Sequence, residues 1–112
     1  MHMIEAIVKP ERLDAVKDAL KTIGVLGLTV MDVKGYGRQM GTAESYRGAK
    51  AEATFLPKVL LKVVVPAAQS DQVVTTISEA ARTGSVGDGK IFISPIASVV
   101  RIRTGERDGD AL

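Results

Sequence analysis

Two apolar runs, Val63-Val64-Val65 and Ile91-Phe92-Ile93, constrain this chain more than any other feature, because neither alternates apolar with polar residues. A strand with one wet face alternates; a strand that does not is usually covered on both faces. Residues 3–9 also read as a strand, and Pro10 suits a first helical turn. Leu13, Val16, Leu20 and Ile23 recur at helical spacing, with Gly24 placed as the C-terminal cap. Residues 28–34 make a second strand and 59–65 a third, closed by Pro66. Ser70 is placed to cap a second helix that turns Val73, Val74, Ile77 and Ala81 inward, and Gly84 to stop it. A fourth strand runs from Ile91 to about Val99, where Pro95 points to an edge or a bulge. The order β-α-β-β-α-β is the ferredoxin-like α+β pattern: an antiparallel sheet with two helices on one face. Two helices cannot cover both faces. The second face is therefore expected to pack on another copy of the chain, giving a homo-oligomer with a closed ring as the expected form.

The 112 residues suit one domain, 1–112, large enough to carry a core without staples. The absence of cysteine excludes a disulfide framework, thiolate metal sites and thiol catalysis, and fits a reducing compartment. Fifteen basic against thirteen acidic side chains is too balanced for a nucleic-acid surface. Met1-His2-Met3-Ile4-Glu5 lacks the regions of a signal peptide, and no apolar run reaches membrane-spanning length. A soluble cytoplasmic protein is expected. His2, the single histidine, reads as a surface residue. No metal-ligand spacing and no Ser-His-Asp set is present, so no enzyme is expected.

The chemistry concentrates in Thr83-Gly84-Ser85-Val86-Gly87-Asp88-Gly89-Lys90. Its glycines permit turns closed to other residues, and successive amides in such a turn form an anion-binding concavity. Lys90 adds a positive charge. A Walker A motif would continue into Ser or Thr and a helix, whereas Ile91 and a strand follow here. On the residues alone, an anion site and an ordinary turn both remain open. Arg101 and Arg103 lie two apart in Arg-Ile-Arg-Thr-Gly; on an extended chain both would leave one face. Arginine suits bidentate recognition of phosphate, and Lys90 with two arginines matches the charge of a triphosphate. Residues 37–55 are longer than a structureless connection usually is, and carry Arg38, Tyr46, Arg47 and Lys50. They read as a mobile arm that touches a partner. Gln39 and Lys58 would draw no notice by themselves.

The segment Thr83-x-x-x-Gly87-Asp88-Gly89-Lys90-Ile91-Phe92 resembles the C-terminal signature of the PII signal transduction proteins, the nitrogen-regulatory GlnB/GlnK group. Also similar are Glu5-Ala6-Ile7-Val8-Lys9-Pro10, Lys34-Gly35-Tyr36-Gly37-Arg38-Gln39, Tyr46-Arg47-Gly48-Ala49, Phe55-Leu56-Pro57-Lys58 and Arg101-Ile102-Arg103-Thr104-Gly105-Glu106, so the resemblance spans the chain. It implies a homotrimer of ferredoxin-like subunits with nucleotide sites between them, where ATP and ADP compete. Gly87, Asp88, Gly89 and Lys90 would wrap the phosphates, and Arg101 and Arg103 would reach in from the neighbouring subunit. Thr29, Gly35, Gly37, Arg38 and Val64 match positions that line the nucleotide. The resemblance further implies that 2-oxoglutarate joins Mg²⁺-ATP at Gln39, Met40, Gly41, Lys58 and Gly87, with Gln39 reaching the metal and Lys58 a carboxylate. Residues 37–55 would be the T-loop, which ligands re-pose against an ammonium transporter or a nitrogen-assimilation enzyme. Tyr46 and Arg47 would touch the partner, and the membrane would be met only through a transporter.

Departures from the family pattern carry their own expectations. The tyrosine that many members nucleotidylate is Ala51 here, and the serine that some phosphorylate is Ala49, so control by ligands alone is expected. Leu60 and Lys62 stand where many members have lysine and glutamate, and Ser45 and Ser85 replace charges used to grip acetylglutamate kinase. Two rival readings are a slow ATP-hydrolysing enzyme with Asp88 as its base, and a PII-like sensor of a different small molecule.

Overall fold

The computed structural model describes residues 1–37 and 54–112. Arg38, Gln39, Met40, Gly41, Tyr46, Arg47, Ala49 and Ala51 lie outside the described residues, as does most of the 37–55 loop. The elements in chain order are β1 (His2–Val8), α1 (Leu13–Thr22), β2 (Thr29–Gly35), β3 (Leu56–Val65), α2 (Ser70–Ala81) and β4 (Lys90–Pro95). The sheet order is β2-β3-β1-β4, and each neighbouring pair is antiparallel. This is the ferredoxin-like α+β architecture.

The two-residue period of the strands builds the core. Ile4, Ala6 and Val8 of β1 and Val59, Leu61, Val63 and Val65 of β3 are buried on one sheet face. Val16 and Leu20 of α1 and Val73, Ile77 and Ala81 of α2 meet them in one cluster. Full burial of each of the Val, Leu and Ile side chains is worth about 1.5–3 kcal/mol. Gly24 caps α1 as expected. Its φ is +91°, its N–H bonds Lys21 O at 3.0 Å, and the Val25 N–H bonds Leu20 O at 3.0 Å, which together make a Schellman motif.

Helix α2 departs from expectation at both ends. Ser70 is its first helical residue and is buried, not a cap; no side chain caps the helix. Pro66 starts a 3₁₀ turn over Ala67–Gln69 instead, closed by the Gln69 N–H on Pro66 O at 2.9 Å, and this turn feeds the chain into the helix. The far end stops at Ala81 because Arg82 is extended, so Gly84 belongs to the following loop. There Arg12, from the turn before α1, places Nε and Nη2 on Ala80 O at 3.0 and 2.6 Å, tying the two helices together.

β3 begins three residues earlier than expected and contains Pro57, opposite Lys34. The β1 ladder along β3 ends at Val59, so at Pro57 only β2 is paired and the missing N–H breaks no bond on the other side. β4 ends at Pro95, an edge-strand position, rather than near Val99. In a single chain the two apolar runs are not covered on both faces. Val63 and Val65 are buried but Val64 is half-buried, and Phe92 and Ile93 are about half exposed. His2 is also not a simple surface residue: its Nδ1 is buried and has no hydrogen-bond partner among the described residues. No described helix is long and apolar enough to cross a membrane.

Candidate functional site

The antiparallel register brings the end of β2 beside the start of β3, with Gly35 opposite Leu56 and Val33 opposite Lys58. The loop from α2 to β4 passes the same end of the sheet. Between them lies a groove of about 750 Å³, lined by Gly35, Tyr36, Gly37, Lys58, Phe92 and the residues from Ser85 to Lys90. It opens where the 37–55 segment leaves the sheet. At its rim the Tyr36 and Phe55 rings meet edge to face, centroids 5.2 Å apart.

The loop is held from three sides. Gly84, Gly87 and Gly89 all adopt positive φ, as their sequence pattern requires. Gly89 is pressed against β1 so closely that a Cβ there would sit 1.7 Å from Ile7 O. Gly87 O accepts a 2.8 Å hydrogen bond from Lys58 Nζ. Burial pushes the Lys58 ammonium below its ordinary pKa; the charge of Lys9 adds to this, and Glu11 and Asp88 oppose it.

Asp88 faces into its own loop. Its carboxylate accepts the hydroxyl of Thr83, the backbone N–H of Thr83 at 2.8 Å and the N–H of Gly84 at 2.9 Å. Lys9 Nζ lies 3.2 Å from it. These partners, the Thr83 hydroxyl foremost, hold the carboxyl well below the usual carboxylate range. Lys9 also donates to Thr83 Oγ1 at 3.0 Å and to Ser85 Oγ at 2.8 Å. Sequence reasoning missed Lys9 in this position. It stands 74 residues from Thr83, and a lysine before Pro10 gives no local sign of its partners.

The remaining expected site residues lie elsewhere. Thr29 begins β2 and Val64 is the last residue but one of β3, each six residues along its strand from Gly35 or Lys58, or roughly 20 Å. Arg101 and Arg103 do not sit on an extended strand. Gly105 N–H bonds Arg101 O at 2.8 Å, closing residues 101–105 into a turn, and Val100 bridges to Arg107. The same-face argument for the two guanidinium groups therefore fails. Arg101 turns back to Glu106 Oε1 at 3.1 Å and Leu112 O at 3.2 Å, while Ile102 at the tip is fully exposed. Lys62, on the sheet face away from the helices, pairs across β1 with Glu5 at 3.7 Å. Among the described residues no cluster of three His, Cys, Asp or Glu side chains could hold a metal.

This arrangement joins an ammonium, a glycine-rich run of amides and a second lysine around one opening, a combination suited to anionic ligands. The family model described as nitrogen regulatory protein P-II matches residues 1–106. The chain is 52% identical to the nitrogen regulatory protein P-II of Azospirillum brasilense and 53% identical to that of Synechocystis, in each case over the whole of both chains. It is 51% identical to the nitrogen regulatory protein GlnK of Escherichia coli, again over the full length of both. Among solved structures, it superposes on Arabidopsis thaliana PII bound to citrate with a TM-score of 0.82 and 42% identity, covering 99% of this chain and 91% of that one.

Proposed function

We propose, from the premise that this chain belongs to the nitrogen regulatory protein P-II family, that it is a ligand-controlled sensor of energy and carbon–nitrogen status. ATP and ADP compete for the groove at the root of the 37–55 loop. Mg²⁺-ATP admits 2-oxoglutarate, and the occupied groove changes how the loop meets its target. The observation that carries this reading is the convergence of Lys58, Lys90 and the Gly87–Gly89 backbone on a groove beside the described ends of that loop.

In this reading the groove-lining Gly87, Gly89 and Lys90 hold the phosphates, and Gly35 and Gly37 flank the nucleotide. Lys58 would meet a carboxylate of 2-oxoglutarate, which would have to take the ammonium from Gly87 O. Gln39, Met40 and Gly41 complete that subsite by family resemblance. With no acidic cluster among the described residues, Mg²⁺ would arrive on the phosphates and take a further oxygen from Gln39. The citrate on the Arabidopsis relative supports a fold that accepts small polycarboxylates.

Thr29, Val64, Arg101 and Arg103 lie outside this groove, which supports a site completed by a second subunit. The half-exposed Phe92 and half-buried Val64 on the sheet face away from the helices supply an apolar surface for such assembly, in a homotrimer. Arg101 would exchange Glu106 for phosphate on binding. Tyr46 and Arg47 contact the target, an ammonium transporter or a nitrogen-assimilation enzyme, from the cytoplasm. Ala51 and Ala49 leave no hydroxyl to modify, so ligands alone set the state.

Asp88 argues against a hydrolase. A general base needs a pKa near working pH, whereas this carboxylate is saturated by its own loop and shifted the other way. Gln39 and Lys58, both present, argue against a different effector. Calorimetry tests the proposal: ATP affinity should rise when 2-oxoglutarate and Mg²⁺ are added. Lys58→Ala should abolish that rise while ATP still binds. An ATP affinity indifferent to 2-oxoglutarate would remove the carbon-sensing role.

A further inference from the structure

The ammonium of Lys9 carries three protons, and the structure gives it three acceptors: Thr83 Oγ1, Ser85 Oγ and Asp88 Oδ1, at 3.0, 2.8 and 3.2 Å. All three belong to one loop, and Lys9 itself belongs to the junction after β1. Its side chain is only 13% exposed. A lysine so arranged has no donor left for a ligand. We infer that Lys9 is a positioning residue: it pins the Thr83–Asp88 turn to β1, and so pre-forms the backbone cradle of Gly87 to Lys90 before any nucleotide arrives.

The inference rests on the nucleotide reading of that cradle and extends it. Asp88 gathers the N–H groups of Thr83 and Gly84, which rounds the first half of the loop into a closed ring. Lys9 neutralises that carboxylate and adds the two hydroxyls, so it fastens the Thr83–Ser85 side of the ring, as Lys58 fastens Gly87 O from β3. On the other side Gly89 lies against Ile7 O, and Ile7 is on β1, two residues before Lys9 in the junction that follows the strand. β1 and the residue that follows it thus grip the loop twice, once by backbone contact at Ile7 and once by the Lys9 ammonium. Without the ammonium, the first half is free to reorder, and binding must then restore it.

Restoring about one residue of ordered backbone corresponds to about a tenfold loss of affinity. The test measures ATP binding by calorimetry for the full-length chain, Lys9→Met, Asp88→Asn and the double variant, with thermal unfolding to show each is folded. Each single change is expected to weaken ATP about tenfold, and the double change no further, because both undo the same fastening. The salt dependence of binding should keep its slope in Lys9→Met, since no phosphate contact is removed. Losses that multiply in the double variant, or a shallower salt slope, would make Lys9 a direct ligand and overturn the inference; so would an unchanged affinity. Hydrogen exchange on the unliganded proteins separates the two readings. Lys9→Met should speed exchange at Thr83 and Gly84 while the β1 amides stay slow. If the unaltered chain binds no ATP the nucleotide reading falls, and the exchange result still decides whether Lys9 orders the loop.

Discussion

Replacing Gly89 with alanine should damage this protein far more than the same change at Gly84, five residues earlier. Both glycines have positive φ, +101° and +88°, so each alanine bears the strain of a left-handed backbone, about 1–2 kcal/mol. Around Gly84 a new Cβ would meet nothing within 4 Å. At Gly89 it would lie 1.7 Å from Ile7 O and 2.8 Å from Ile7 C, against the 3.0 Å that real Cβ contacts respect. The deficit of about 1.3 Å falls on backbone, where β1 is held on both sides by β3 and β4. Such overpacking adds about 1–3 kcal/mol. Gly84→Ala should thus cost about 1–2 kcal/mol and Gly89→Ala about 2–5 kcal/mol, a large part of a small domain's stability. Urea unfolding of both variants at one protein concentration measures the difference directly. Equal losses would show that the loop can back away from Ile7 at little cost. The idea that β1 dictates its path would then be wrong.

Two further outcomes can be checked. Asp88 has its carboxyl pKa depressed in the folded protein, so its contribution is complete above the unfolded value of 3.8 and fades as pH falls below it. Asp88→Asn should therefore destabilise the protein at pH 7 and progressively less towards pH 3; a penalty independent of pH would contradict the hydrogen-bond assignment. Glu106→Gln releases Arg101 from an ion pair 3.1 Å long and partly exposed, worth at most about 1 kcal/mol. If Arg101 must leave Glu106 to meet phosphate, ATP affinity should rise up to about fivefold, and a fall would place Arg101 in a purely structural role.

The fold was legible because its core obeys simple periods. Ile4, Ala6 and Val8 alternate along β1, Val16 and Leu20 repeat at helical spacing, and all five are buried. Gly24 was legible for the same reason, since a helix end requires only local geometry. Ser70 misled because a 3₁₀ turn can replace a capping side chain, and no residue type announces that choice. Arg101 and Arg103 misled because Thr104-Gly105 was a turn signal outweighed by the spacing of the arginines; Gly105, at φ +74°, folds the segment back. The lining of the candidate groove was half legible. Gly87, Gly89 and Lys90 declared themselves by composition, and Lys58 gained its meaning from family resemblance. Lys9 could not be found in either way, because its contacts are made only when the two ends of the chain fold together.

Gly35 and Leu56 face one another across two hydrogen-bonded strands, and the rings of Tyr36 and Phe55 close the next step. Everything between them is therefore an insertion whose endpoints the sheet has already brought together. Doubling the length of a flexible insertion costs only about 0.6 kcal/mol in closure entropy. A socket of this kind lets natural variation rewrite what is plugged into it while the paired strands and the groove beside them stay as they are.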